Sequence, residues 1–166
     1  MAKPTTYATP ICLALSLLTL VGIILGLLNH NALLVTILLL PVVAYEAYRT
    51  EGDSTRWASW FLLLLIITEI VMIVFKINFD LASFSNHSTA YVGGYFVPLG
   101  DVKIIAPGLM AILSLILFFR TNGKYTKWLS VLIFASSLVI VYSLDQNIFK
   151  NILSTTLFQS FGFGLF

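Results

Sequence analysis

The sequence predicts an all-α, polytopic membrane protein with five transmembrane helices. Of its 166 residues, 59% are hydrophobic and only 10% are charged, and the mean hydropathy is +0.99. An ordinary soluble domain is about 25% charged. Polar interruptions divide the chain into five apolar runs, each close to the length of about 20 residues that a membrane-crossing helix needs. A soluble monomer is therefore excluded, and residues 1–166 are interpreted as a single membrane domain.

Composition also limits the classes of function. The net charge of +2 is too small and too scattered to indicate a nucleic-acid partner. The single cysteine, Cys12, excludes an intrachain disulfide and a cysteine-rich metal site. The two histidines, His30 and His87, have no second ligand at metal-binding spacing. The sequence contains no phosphate-binding glycine loop and no hydrolase motif. We therefore expect no metal, no cofactor and no nucleic acid, and the composition favours a protein that is not an enzyme.

The first two spans are predicted over residues 10–28 and 32–48. The first run is longer than the about 7–15 apolar residues of a signal peptide, and it ends in a polar turn where a signal peptide has a cleavage site. We therefore expect it to be a retained helix. The second run contains Pro41, which should kink the helix because proline removes one backbone hydrogen bond and crowds the preceding turn.

The other three spans are predicted over residues 57–77, 102–119 and 128–144. Residues 78–101 mix polar residues and glycines with aromatic residues, which is typical of an outer loop with interfacial anchors. The tail, 146–166, keeps many apolar residues, some of them at helical spacing. We expect this amphipathic segment to lie along the membrane surface or to dock in a partner's groove.

An internal repeat links residues 48–59 with residues 119–130. Six of the twelve aligned positions are identical, and the shared pattern is Arg-Thr-x-Gly-x-x-Thr-basic-Trp. We interpret spans two plus three and spans four plus five as two parallel-repeated helical hairpins, to which the first helix is added. Convergence on one turn chemistry is the alternative, because each shared residue also suits a helix end or the membrane interface. Duplication predicts a positive φ at both Gly52 and Gly123.

The distribution of basic residues predicts the orientation. Lysine and arginine are retained in cytoplasmic loops. With the amino terminus inside, six of the nine basic residues lie on the inner side. We therefore predict a protein of the cell or inner membrane with a cytoplasmic amino terminus and a carboxyl terminus outside. Trp57 and Trp128 would be interfacial anchors. Lipid headgroups or a partner would contact the inner loops through Arg49, Arg56, Arg120, Lys124 and Lys127.

Glu69 is the one acid in the interior of a predicted span. At about 1.5 Å per residue it lies about 18 Å along the helix from Trp57, close to the middle of the bilayer. A charge at that depth is costly, so Glu69 indicates either an ion or proton relay or a neutral interhelical polar contact. Lys76 lies too far along the same helix to pair with it. The candidate partners for a neutral contact are Thr68, Ser114, Ser136 and Ser137.

A second acid lies near the end of the second span. Glu46 precedes Arg49 by three residues, so the two side chains can pair across one helical turn. We expect this pair to be structural.

Three functions remain open. The few charges, the missing catalytic motifs and the apolar tail favour a non-catalytic accessory or assembly subunit of a larger integral membrane complex, with membrane lipids and other membrane protein subunits as partners. The repeat and Pro41 favour the alternative, a small oligomeric transporter or channel with an ion or proton path that touches Glu69. An intramembrane enzyme would need a nucleophile or metal set that only Glu69, Asp80 and Asp101 begin to supply.

Overall fold

A computed structural model of the chain describes residues 7–50, 52–77, 89–92, 95–98 and 102–145. Within these described residues, five helices are long and apolar enough to cross a membrane, which fits a multi-pass integral membrane protein. The prediction of a helical fold with five helices of membrane-spanning length is thereby confirmed. The helices are α1 (Ala8–Asn29), α2 (Ala32–Arg49), α3 (Asp53–Val74), α4 (Val102–Arg120) and α5 (Lys124–Leu144).

The predicted outer loop contains two short strands, β1 (Thr89–Val92) and β2 (Tyr95–Pro98). The strands pair antiparallel, with Val92 opposite Tyr95. Aromatic and β-branched residues are enriched in both segments, and such residues favour strands. The prediction that residues 78–101 are loop throughout is therefore wrong for these two strands. The other predicted features of this loop and the whole predicted tail lie outside the described residues, among them Asp80, His87, Asp101 and residues 146–166.

Helices α2 to α5 form a ring in which each helix contacts the next and α5 contacts α2. Helix α1 lies outside the ring and contacts α2 and α5. Connections of two or three residues make α1 and α2, α2 and α3, and α4 and α5 antiparallel. Helices α3 and α4 are joined by a long connection, and they are antiparallel because successive spans of a multi-pass protein cross in opposite directions. Helix α2 therefore runs parallel to α4, and α3 runs parallel to α5. The interior is filled by large apolar side chains, which include Leu39, Leu62, Ile66, Met110, Leu117, Leu129, Ile133 and Ile140.

Helix α1 approaches α2 closely because its inward face consists of small residues, which are Ala8, Cys12, Thr19, Gly22 and Gly26. A Cβ atom on Gly26 would overlap Val35 Cγ2, and a Cβ atom on Gly22 would lie 3.0 Å from Leu38 Cβ. Within a bilayer, where lipid tails are as apolar as the helices, such close packing is a main source of helix association. The small-residue face therefore fixes α1 against the ring.

The two repeated glycines are the N-cap residues of α3 and α5. Gly52 has a φ of +145°, which side-chain-bearing residues rarely adopt, whereas Gly123 has a φ of −75°. The prediction of a positive φ at both positions is therefore wrong for Gly123. What the two glycines share is limited space, because an added Cβ would lie 2.8 Å from Thr55 Oγ1 at Gly52 and 3.1 Å from Thr126 Oγ1 at Gly123. The repeated Gly-x-x-Thr pattern thus begins the second helix of each hairpin and does not end the first.

The bounds of the third and fifth spans differ from the predicted ones. Helices α3 and α5 each begin one turn earlier than predicted, directly after their glycine N-caps. Helix α3 also ends at Val74, three residues before the predicted end at residue 77. The reason is a left-handed residue, Lys76, with a φ of +50°, beyond which the Ile77 N–H donates to Met72 O at 3.0 Å. This arrangement satisfies carbonyls of the last turn and stops the helix.

Candidate functional site

Glu69 lies on the interior face of α3 and is 0% exposed. It shares that face with Leu62, Ile66 and Met72, which recur at helical spacing and are buried. Because α3 ends at Val74, Glu69 is five residues from the end of the helix, about 7.5 Å at about 1.5 Å per residue. Along α3, Glu69 therefore lies in the half of the helix that leads toward β1.

The four hydroxyl groups proposed as contacts for Glu69 have different environments. Thr68 is exposed on the outward face of α3 and donates to a carbonyl of its own helix at 2.9 Å. Ser114 and Ser137 are buried, and each donates to a carbonyl of its own helix, at 2.7 and 2.8 Å. Ser136 Oγ is buried without a hydrogen-bond partner. Ser114, Ser136 and Ser137 therefore lie in the buried interior, as Glu69 does. Thr68 lies outside it.

Lys103 lies near the start of α4 on the interior face of that helix and is half-buried. Helices α3 and α4 are neighbours and run antiparallel, so the start of α4 lies beside the end of α3. Counting along both helices puts Glu69 five residues and Lys103 one residue from these adjacent helix ends, a difference in depth of about 6 Å at about 1.5 Å per residue. Lys76 is the basic residue nearest to Glu69 along the chain, and the sequence does not show the order of helices that brings Lys103 near the end of α3. The buried residues that share the face of Lys103 are Ala106, Met110, Ser114 and Leu117.

A second polar cluster lies where α1, α2 and α5 meet. Glu46 is 1% exposed, and its Oε1 accepts a hydrogen bond from Thr50 Oγ1 at 3.0 Å. Glu46 Oε2 and Arg49 Nη1 are buried without hydrogen-bond partners. The Arg49 guanidinium lies 4.7 Å from the centroid of the Tyr125 ring. Glu46 interacts electrostatically with Arg49, as expected across one helical turn. In addition, Glu46 bonds to Thr50 and Arg49 makes a cation–π contact.

Two side-chain hydrogen bonds join α1 to α5 near this cluster. One links Thr9 Oγ1 and Tyr125 Oη at 2.6 Å, and in the other Trp128 Nε1 donates to Ser16 Oγ at 2.7 Å. Trp57, which the repeat matches to Trp128, is 78% exposed. The two predicted anchors therefore differ, since only Trp128 is bonded to α1. The sequence repeat could not predict this difference between the two tryptophans, because α1 belongs to neither hairpin.

The basic residues of the predicted inner loops all lie at one end of the bundle, in the connections or adjoining helix ends of the two hairpins. Arg56, Arg120 and Lys124 are exposed. Lys127 is half-buried, and its Nζ lies 5.7 Å from the centroid of the Phe118 ring. Arg49 differs from this group because its guanidinium packs inward on Tyr125. The exposed cations are placed where anionic groups can reach them.

The outward face of α3 bears an apolar groove, which was not predicted from the sequence. Three aromatic residues contribute to it, and Thr68 places a hydroxyl in an otherwise apolar wall. We call this feature the α3 groove. It is lined by Trp57, Trp60, Phe61, Leu63, Leu64, Ile67 and Thr68.

No protein-family model matches the chain, and no curated protein or solved structure matches it. In the part of the chain that the structure describes, no three His, Cys, Asp or Glu side chains come together in a group that could hold a metal ion.

Proposed function

We propose that this protein is a non-catalytic accessory or assembly subunit of a larger integral membrane complex. The α3 groove carries the proposal. Trp57, Trp60 and Phe61 are 78%, 52% and 49% exposed, and aromatic residues are enriched among those that dominate binding energy at interfaces. Thr68 adds a hydroxyl of the kind that forms hydrogen bonds between membrane helices. Other membrane protein subunits and membrane lipids are the proposed partners.

Native purification in a mild detergent tests this proposal. We expect companion subunits to purify with the chain at a fixed ratio. Leu64→Ala, in the groove, should lower that ratio, whereas Leu17→Ala on the outward face of α1 should not. The two leucines are matched, because they are 56% and 57% exposed. A chain that purifies without any companion from its native membrane would contradict an accessory role.

A transporter or channel is the second candidate. The observation that favours it is the pair of buried acids on neighbouring helices, Glu46 on α2 and Glu69 on α3, since intramembrane acids commonly mark ion pathways. Purified protein in liposomes, under an imposed membrane potential, would then pass protons or a monovalent cation. Glu69→Gln should abolish this flux if the path touches Glu69. Liposomes that show no flux above protein-free controls would exclude the candidate.

The two hairpins, α2–α3 and α4–α5, are proposed to be a parallel repeat. Arg49 and Arg120 end the first helix of each hairpin, and Gly52 and Gly123 precede the second. Several positions matched by this alignment are buried in both hairpins. Examples are Leu39 with Met110, Ser59 with Ser130, and Leu62 with Ile133. Superposition of the hairpins with the same hand favours duplication, whereas agreement of the turns alone would favour convergence.

We further propose that the amino terminus is cytoplasmic and the carboxyl terminus lies outside. The support is the excess of basic residues at the end of the bundle that holds the two hairpin turns.

A further inference from the structure

Helix α1 covers only one side of the ring. It packs in the crevice between α2 and α5. If the two hairpins are parallel repeats, rotating the ring by half a turn about its central axis superposes α2 on α4 and α5 on α3. The counterpart of the α1 site is therefore the crevice between α3 and α4. We call this the α3/α4 crevice.

The matched residues of α5 and α3 differ in exposure as this arrangement requires. Leu132 on α5 is 7% exposed, whereas its counterpart Phe61 on α3 is 49% exposed. Ala135 is half-buried, whereas its counterpart Leu64 is 56% exposed. Because α1 packs on α5 and no described helix packs on the same face of α3, the α3 positions stay open. The α3 groove forms one wall of the crevice.

The matched residues of α2 and α4 show the same difference. Leu38 on α2 is half-buried, close to Gly22 of α1, whereas its counterpart Leu109 on α4 is 40% exposed. Tyr45 is half-buried, and its counterpart Ile116 is 44% exposed. At these four matched pairs, the residue beside the α3/α4 crevice is thus more exposed than its counterpart beside α1.

We propose that the α3/α4 crevice binds one transmembrane helix of a partner subunit, in the orientation that α1 has in its own crevice. This inference rests on the proposed accessory function and names the partner. Helix α1 is parallel to α5, so the partner helix is parallel to α3 and begins at the end of the bundle where α1 begins. Its docking face carries small residues, as that of α1 does, since these allow close approach.

Two polar groups define the partner further. Trp128 Nε1 donates to Ser16 Oγ of α1, and the matched Trp57 offers the same donor near the start of the crevice. The partner helix therefore has a Ser or Thr about one or two turns from its start. Thr68 Oγ1 donates to its own helix and retains lone pairs that accept a hydrogen bond from the partner at greater depth.

A partner helix is preferred to a second copy of this chain for a packing reason. In a second copy, the small-residue face of α1 is already closed against Val35 and Leu38 of its own α2. Releasing it would uncover the apolar face of α2. A helix from a different subunit needs no such release.

Site-specific photocrosslinking in the native membrane tests the inference. A photoreactive phenylalanine analogue replaces Leu64 in the crevice, and Leu17 on α1 serves as the equally exposed control position. We expect the Leu64 probe to label one transmembrane segment of a copurifying subunit, with small residues spaced three or four apart near the site of attachment. The Leu17 probe should not label that segment.

Two pairs of variants complete the test. Leu64→Trp fills the crevice without removing apolar surface and should lower the ratio of companion to chain by about tenfold, equivalent to about 1.4 kcal/mol, whereas Leu17→Trp should leave it unchanged. Trp57→Phe keeps the ring but removes the donor, and a loss of about threefold is expected for one interhelical hydrogen bond of about 0.6 kcal/mol. Tyr7→Phe is the matched control, because it removes a donor from a similarly exposed aromatic residue outside the crevice.

The outcomes separate the inference from the proposed function. If companions copurify but the Leu64 probe labels only lipid, the inference is wrong and the accessory role stands. Labelling of a second copy of the same chain would also overturn it. Absence of every companion would overturn both the inference and the accessory role.

Discussion

The indole Nε1 of Trp128 donates a hydrogen bond to Ser16 Oγ at 2.7 Å, which joins α1 to α5 across their interface. At the other end of α1, Gly26 packs so closely on Val35 that a Cβ atom would overlap the valine side chain. Helix α1 is thus held by polar contacts near its start and by close packing near its end. Its attachment to one side of the ring makes the α2–α3 and α4–α5 hairpins structurally unequal.

Gly26→Ala should release α1 from the ring. The added methyl group has no room beside Val35, and overpacking of this kind costs about 1–3 kcal/mol. Gly108→Ala is the matched control, because a Cβ at Gly108 meets nothing within 4 Å. Thermal unfolding in detergent, followed by tryptophan fluorescence, should show a lower midpoint for Gly26→Ala alone. Equal midpoints for the two variants would show that α1 is not held by this contact.

Gly52→Ala should destabilise the protein more than Gly123→Ala. The φ of +145° at Gly52 is strained for alanine, while the φ of −75° at Gly123 is not. Backbone strain of this kind costs about 1–3 kcal/mol. The same unfolding measurement checks the difference. A larger loss for Gly123→Ala would mean that crowding by Thr126 outweighs backbone strain.

Glu69 and Lys103 should be energetically coupled. Both lie on interior faces of neighbouring antiparallel helices, near the end of α3 and the start of α4. Glu69→Gln and Lys103→Met should each destabilise the protein, and the double variant should lose less than the sum by about 1–3 kcal/mol. Lys76→Met is the control, since Lys76 is exposed beyond the end of α3.

If the losses of stability caused by Glu69→Gln and Lys103→Met are additive, the result would favour Glu69 as a neutral polar contact between helices. If Glu69→Gln retains full companion binding and, in liposomes, any flux that the wild-type protein shows, the relay hypothesis is excluded.

Single cysteines should report the orientation. In a Cys12→Ser background, a membrane-impermeant thiol reagent applied to intact cells should label Ser85→Cys and Ser160→Cys but not Asp53→Cys. The reason is the retention of basic loops on the cytoplasmic side. Permeabilised cells provide the control, because all three cysteines should then react. Labelling of Asp53→Cys alone in intact cells would invert the topology.

Deleting residues 146–166 should weaken assembly more than membrane insertion. Their many apolar and aromatic residues are expected to dock on the membrane or on another subunit, whereas the five spans lie before them. Membrane fractionation measures insertion, and native purification measures companions. A truncated chain that inserts normally and keeps every companion would count against a docking role.

The sequence by itself determined the number of helices, because an apolar run of membrane-spanning length has few structures open to it in a bilayer. It also located both hairpin turns, since glycine and threonine at fixed spacing define a helix start locally. It did not fix the backbone at Gly123, because the same residues can begin a helix with either sign of φ.

Only the tertiary structure decided which helices are neighbours. That order places Lys103 beside the end of α3, moves Arg49 onto Tyr125, and puts α1 against α5 but not against α3. These relationships depend on packing between segments far apart in the chain, where small residues on one helix meet large residues on another. No local sequence pattern predicts these relationships. The α3/α4 crevice therefore could be proposed only once the arrangement of the helices was known.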